Sequence, residues 1–197
     1  MSPLPRFHRL PAERRDAILG VARAHFAADG PETASYNRII EAAGISKTAA
    51  YQYFDGRDDL LGAVLADVLD RLLAALGPWT PAAGPEDLWA RLEAGTGALA
   101  VHLAAHPDDL ALAARAVREA DGAAGGWTGW FDALVTDGQR LGVIRTDIDR
   151  DLLVGATEAV LRAADTWALG RAADGPDVPD TGQVWRLLAG LWGGERA

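Results

Sequence analysis

Along almost the whole chain, apolar side chains return every three or four residues, and no stretch alternates strictly between apolar and polar. That period is the signature of helices with one buried face, and β-strands would need a period of two. Ala, Leu and Arg, all good helix formers, are abundant, and Gly and Pro fall between the periodic runs. An all-α fold of about nine helices is expected.

The punctuation sets the boundaries. A first helix is read over Ala12 to Asp29, stopped by Gly30, with Ile18, Ala22, His25 and Phe26 on one stripe. Ser35 opens a second helix that closes at Gly44, and Ser46 opens a third that ends near Phe54. A fourth runs from Arg57 to about Leu76, then a Pro-rich loop leads to a fifth over Pro85–Ala105. A sixth is expected from Pro107 to about Ala120, and a seventh from Trp127 to Leu141 after a Gly-rich loop at 122–126. Asp149 is the expected cap of an eighth, reaching about Ala173, and a polar loop precedes a ninth over Thr181–Trp192. In the ninth, Val184, Leu187, Leu188 and Leu191 make one stripe, with Trp185 and Trp192 off it or at its edge. The apolar arcs of the last two helices are wider than one core contact needs, which predicts a second subunit against them.

Charge and aromatic residues are unevenly distributed. The 197 residues carry a net charge of −9, yet residues 1–54 are +2 and the remainder −11. All three tyrosines precede residue 60 and all seven tryptophans follow residue 78. A mildly basic end on an acidic body suits a protein that touches DNA at one end only. Tyrosine hydroxyls serve phosphates, and tryptophans serve apolar pockets and interfaces. The chain lacks cysteine, which excludes disulfides, thiolate metal sites and cysteine nucleophiles. No apolar run approaches the roughly 20 residues of a membrane span, and Met1 to Leu10 lacks the apolar centre of a signal peptide, so a cytoplasmic protein without membrane contact is expected.

The segment from Ser35 to Phe54 carries the chemistry. Two short helices meet at Ala43-Gly44-Ile45-Ser46, the turn of a helix-turn-helix, where Gly accepts a positive φ without cost. On the second helix Ala50 and Phe54 point inward, while Lys47, Thr48, Gln52 and Tyr53 lie on the outward arc. A helix of that kind fits a DNA major groove. Lys47 stands at its N-terminus for phosphate, and Gln52 can bond an adenine edge. Thr48 and Ala49 can meet a thymine methyl, and Tyr51 and Tyr53 can donate to phosphates. Ser35, Asn37, Arg38, Ser46 and Arg57 complete the expected DNA-binding set. Arg6, Arg9, Arg14 and Arg15 form a basic arm that either reaches DNA or is a solvated leader.

Residues Ile18 to Leu61 resemble the DNA-binding domain of the tetracycline-repressor (TetR) family. The resemblance rests on Ile18, Ala22, Phe26, Gly30, Thr33, Ser35, Ile39, Ala42-Ala43-Gly44-Ile45-Ser46-Lys47, Tyr51, Phe54 and Asp59-Leu60-Leu61. Asn37 departs from it, standing where a basic residue is frequent, and Ala50 and Ile40 exchange small for large in the core. The resemblance implies a DNA-binding domain over 1–56 and a helical regulatory and dimerisation domain over 57–197. It also implies phosphate roles for Lys47, Tyr51 and Arg57, a palindromic operator, homodimerisation through the last two helices, and a small-molecule effector that releases a repressor from DNA.

For the effector pocket, Trp89, His102, Arg118, Trp127, Trp130, Phe131 and Trp167 are the expected lining. His102 and His106 stand at i, i+4, but no third ligand accompanies them in the sequence, so no metal is expected, nor any cofactor. Two other readings are an architectural DNA-binding protein without ligand response and an all-helical enzyme. The second lacks a catalytic constellation or phosphate loop, and no enzyme is expected.

Overall fold

A computed structural model describes residues 3–119, 125–174 and 182–193. Within them the chain forms ten α-helices and no strand. These are α1 (Pro5–His8), α2 (Ala12–Asp29), α3 (Tyr36–Ala42), α4 (Lys47–Tyr53), α5 (Arg57–Leu76), α6 (Pro85–Ala105), α7 (Pro107–Glu119), α8 (Gly125–Arg140), α9 (Arg150–Asp174) and α10 (Gly182–Trp192). The nine expected helices are present, each within about two residues of its expected ends. The tenth is α1, in the segment read as an arm or leader. Most of the Gly-rich loop expected at 122–126, and the polar loop before α10, lie outside the described residues.

The chain divides into two compact units, one of residues 1–70 with 106–116, the other of 71–105 with 117–197. The first therefore extends beyond residue 56 to take in most of α5 and most of α7. Its buried side chains include Phe7, Ile18, Ala22, Phe26, Ile39, Ile40, Ala50, Phe54, Leu60 and Val64. Arg23 of α2 pairs with Asp67 of α5 at 2.6 Å and with the fully buried Asp109 of α7 at 3.2 Å.

The second unit is built on α8, α9 and α10. Its core joins Leu88 and Leu92 of α6, Phe131, Leu134 and Val135 of α8, Leu153 and Val154 of α9, and Trp185, Leu188 and Trp192 of α10. Asp149 caps α9 as expected, its Oδ1 accepting from the N–H groups of Asp151 and Leu152 at 3.0 and 3.1 Å. Of the apolar sets on α10, the one that carries the tryptophans faces the core. Trp185, Leu188 and Trp192 are buried at i, i+3, i+7, and Leu187 is 63% exposed. Trp192 gains an additional hold because its indole N–H donates to Thr157 Oγ1 at 3.0 Å in a buried site. A tryptophan buries more apolar area than a leucine, so the helix turns its tryptophans inward.

The loop between α5 and α6 is fastened by a buried carboxylate. Asp137 of α8 accepts from the Trp79 indole N–H at 3.1 Å, from the Ala82 backbone N–H at 2.7 Å and from the Arg140 guanidinium at 2.6 Å. Burial by itself would raise its pKa. The Ala82, Arg140 and Trp79 donors together outweigh that, and the carboxyl sits below its usual range.

Candidate nucleic-acid interface and effector cleft

The helix-turn-helix is assembled from local rules. Gly44 has φ +63°, a left-handed conformation that ends α3 and lets the chain reverse. Ile45 N–H donates to the Ile40 carbonyl across the turn at 3.1 Å, and Arg14 of α2 donates to the Gly44 carbonyl at 3.1 Å. Ser46 then caps α4, its Oγ accepting from Ala49 N–H at 3.2 Å. Ser35 holds the corresponding place before α3 with extended backbone, but its hydroxyl makes no cap bond.

The two faces of α4 are sharply different. Ala50 and Phe54, at its inner side and end, are both 0% exposed, and Ile40 on α3 is buried too, so the exchange of small and large residues leaves a closed core. Lys47, Thr48, Tyr51 and Gln52 are exposed, and Ala49 and Tyr53 are half-buried beside them. Lys47 forms no ion pair among the described residues. Asn37 and Arg38 are exposed on α3, with Arg38 at 3.6 Å from Asp29. Tyr36 packs near Tyr51, ring centroids 6.0 Å apart. Desolvation, the neighbouring Tyr51 and the Asp59 charge push the Tyr36 phenol up to about 12, so it stays neutral.

Arg57 is turned inward. Its Nε donates to the Ala34 carbonyl at 3.1 Å, its Nη1 pairs with Asp58 at 2.8 Å, and its guanidinium lies 5.9 Å from the Phe26 ring centre.

Residues 18–64 match the family described as bacterial regulatory proteins, tetR family. The match covers about a quarter of the chain. No curated protein matches it. Among solved structures it resembles the fatty acid degradation regulator FadR of Bacillus halodurans, at 20% identity over 92% of this chain and 99% of that one, with a TM-score of 0.59. It also resembles FadR of Bacillus subtilis, solved in complex with stearoyl-CoA, at 16% identity over 91% and 98%, with a TM-score of 0.60. A third is the TetR-family repressor QsdR of R. erythropolis, at 21% identity over 95% and 98%, with a TM-score of 0.57. At these identities the structural likeness concerns the fold. That likeness of fold also covers the helical remainder, which the family match itself does not reach.

In the second unit, a cleft of about 220 Å³ opens between the end of α5, the 77–84 loop, α6 and α8. Trp79, Trp130, Arg91, Thr80 and Leu76 are among its walls. Trp79 and Trp130 meet edge to face with centroids 5.4 Å apart, and the Trp130 indole N–H donates to the Gly77 carbonyl at 3.1 Å. Arg91 is neutralised by Asp87 at 2.9 Å. Of the residues expected to line a pocket, Trp130 faces this cleft. Phe131 is buried in the core, with Trp89 and Trp127 packed against it, and Trp89 lies 5.3 Å from Trp192 between ring centres. Trp167 is half-buried under the Arg171 guanidinium, His102 is half-buried and Arg118 is exposed. Trp79 was missed because it falls in a loop, where no periodicity marks a side chain as inward-facing.

No helix among the described residues is long and apolar enough to cross a membrane.

Proposed function

We propose that the protein is a homodimeric repressor that reads a palindromic operator with α4 and leaves it when a small molecule binds the second unit. One observation supports this above the others. The outward face of α4 offers Lys47, Thr48 and Gln52 to solvent, while Ala50 and Phe54 fix its inner side completely. A rigid helix with exposed hydrogen-bonding groups is what base-edge readout requires. Gln52 is assigned to bases, Thr48 and Ala49 to thymine methyls, and Lys47, Tyr51 and Tyr53 to phosphates, with Ser35, Asn37, Arg38 and Ser46 flanking them. Arg57 is assigned to hold the first unit together; its Nη2 is buried, so a phosphate contact requires the guanidinium to turn outward from Asp58. Leu152 of α9 and Leu187 of α10 are 64% and 63% exposed and supply the apolar surface for a second subunit.

The effector acts by population shift. A ligand that favours a dimer with misplaced reading heads forfeits one half-site, because successive half-sites lie about 34–36 Å apart. The cleft beside Trp79 and Trp130 is small for a drug-sized ligand, and its single arginine is already neutralised, so a compact, largely apolar effector suits it. The stearoyl-CoA held by FadR of Bacillus subtilis makes fatty acyl thioesters a second class to screen.

A gel shift with the DNA upstream of the protein's own gene, against random duplex at two salt concentrations, tests the reading. Preference for the upstream DNA is expected. Lys47→Ala should weaken binding to every sequence, and Gln52→Ala should reduce the preference. Equal affinity for both duplexes would overturn the assignment.

A further inference from the structure

The N-terminal arm is folded onto the reading helix. Phe7 of α1 is 3% exposed, and its ring lies 4.7 Å from that of Phe54 and 6.1 Å from that of Tyr53, centre to centre. Leu4 N–H donates to the Tyr53 carbonyl at 2.9 Å, satisfying one of the carbonyls that the end of α4 leaves open. Arg15 of α2 clasps the arm from the other side, donating to the carbonyls of His8 and Leu10 at 3.1 and 2.9 Å.

These bonds sort the four arginines at this end of the chain. Arg15 holds the arm and Arg14 holds the Gly44 turn. Arg6 and Arg9 are exposed and form no ion pair among the described residues. In the same unit, Arg23, Arg38, Arg57 and Arg115 are each paired with an acid. Arg6 and Arg9 are three residues apart on helical backbone, hence on one side of α1, while Phe7 points elsewhere into the core. Through Leu4 and Phe7, α1 itself stands by the C-terminal end of α4, where open carbonyls and the exposed Asp55 would otherwise repel a phosphate.

We propose that the arm is a built part of the DNA-binding surface: Phe7 is a positioning residue that seats α1 on Phe54, so that Arg6 and Arg9 contact the phosphate backbone beside the C-terminal end of α4. The inference rests on the DNA-binding reading above. A seated arm orders its arginines before DNA arrives, so less conformational freedom is lost on binding than by a free leader.

The test is the salt dependence of binding to the same two duplexes, measured on the full-length protein. Removing a phosphate contact flattens the slope of log K against log salt by about 0.9. Arg6→Ala/Arg9→Ala should therefore flatten it by about 0.9 per arginine lost in each subunit, equally on upstream and random DNA, with unchanged sequence preference. Phe7→Ala should produce the same flattening, and adding Arg6→Ala/Arg9→Ala to it should flatten the slope little further. Phe7→Leu, which refills the site, should restore it. Thermal unfolding of the Phe7 variants reports separately on folding, which the exposed arginines should leave unchanged. An unchanged slope in Arg6→Ala/Arg9→Ala, with wild-type binding intact, overturns this proposal alone. A full additional loss on top of Phe7→Ala overturns the role of Phe7. Failure of the wild-type protein to bind either duplex removes the DNA-binding reading and this inference with it.

Discussion

Arg23 and Asp109 face each other at 3.2 Å, and Asp109 is wholly buried. Arg23 also holds Asp67 at 2.6 Å, so one guanidinium ties α2 to both α5 and α7. A buried carboxylate deprived of its counter-ion is costly, whereas exchanging both charges for neutral groups is often tolerated. Arg23→Met is expected to lower stability by about 3 kcal/mol. Adding Asp109→Asn should recover a substantial part of that loss. Denaturant midpoints of the two single variants and the double variant measure the coupling. Additive losses would show that the two groups do not depend on each other.

Arg57 separates a structural role from a binding one. Its bond to the Ala34 carbonyl and its position by Phe26 predict that Arg57→Ala lowers the stability of the DNA-free protein by about 1–2 kcal/mol. Arg57→Lys keeps the charge but loses the planar fork, so it should lose most of that stability while retaining more DNA affinity than Arg57→Ala. Thermal unfolding without DNA, compared with binding at one fixed salt concentration, checks both. An Arg57→Ala protein as stable as wild type would return this residue to a purely phosphate-binding role.

Asp137 gives the fold an acid limit. Its folded pKa is depressed below the ordinary 3.8, so the stabilisation it brings is complete above that value and is lost as pH falls through the folded pKa. Asp137→Asn keeps a carbonyl acceptor but loses the charge that holds Arg140. The variant should be less stable than wild type by about 2 kcal/mol from pH 8 down to pH 5. The gap should start to narrow only below the ordinary 3.8 and shrink as pH falls towards the depressed folded pKa. Unfolding midpoints from pH 8 downwards decide it, and a gap that narrows between pH 8 and pH 5, or widens below pH 4, would contradict the sign.

Asp165 on α9 has the opposite sign. Burial pushes its carboxyl up to about 6, so the folded state holds the proton more tightly than the unfolded chain does. Stability then falls as pH rises from about 4 through 6, and the cost is constant above that. Asp165→Asn removes it. The variant should be more stable than wild type by about 3 kcal/mol at pH 8 and indistinguishable from it near pH 4. Calorimetry at the two pH values is sufficient, and equal stability at pH 8 would rule the burial penalty out.

These groups also mark what the sequence could convey. The helix ends were legible because Gly44, Ser46, Asp149 and the prolines act locally, through backbone conformation and caps. The polarity of α4 was legible because seven residues suffice to separate two faces. The inner face of α10 is left open by the sequence because an aliphatic stripe at 184, 187, 188 and 191 competes with 185, 188 and 192, and only tertiary packing chooses between them. The arm gave little signal: four helical residues show no period, and Phe7 was a lone aromatic among arginines. Asp109 and Asp137 were not anticipated because a carboxylate is buried only when distant donors converge on it, which no local pattern records.

That choice of face on α10 has a consequence for assembly. With Trp185, Leu188 and Trp192 inward, Leu187 is left 63% exposed, and Leu152 on α9 is 64% exposed. Neither side chain holds the protomer's own core, so a charge at either position should leave the fold intact. In the proposed dimer the same charge would be trapped in an apolar interface without a partner, at a cost of several kcal/mol. Leu152→Glu/Leu187→Glu is therefore expected to sediment as a folded monomer with an unchanged circular dichroism spectrum, where wild type sediments as a dimer. Its affinity for the upstream DNA should fall by more than tenfold, because two linked reading heads bind with an effective concentration that a single one lacks. A variant that stays dimeric would place the subunit contact elsewhere than on these two leucines.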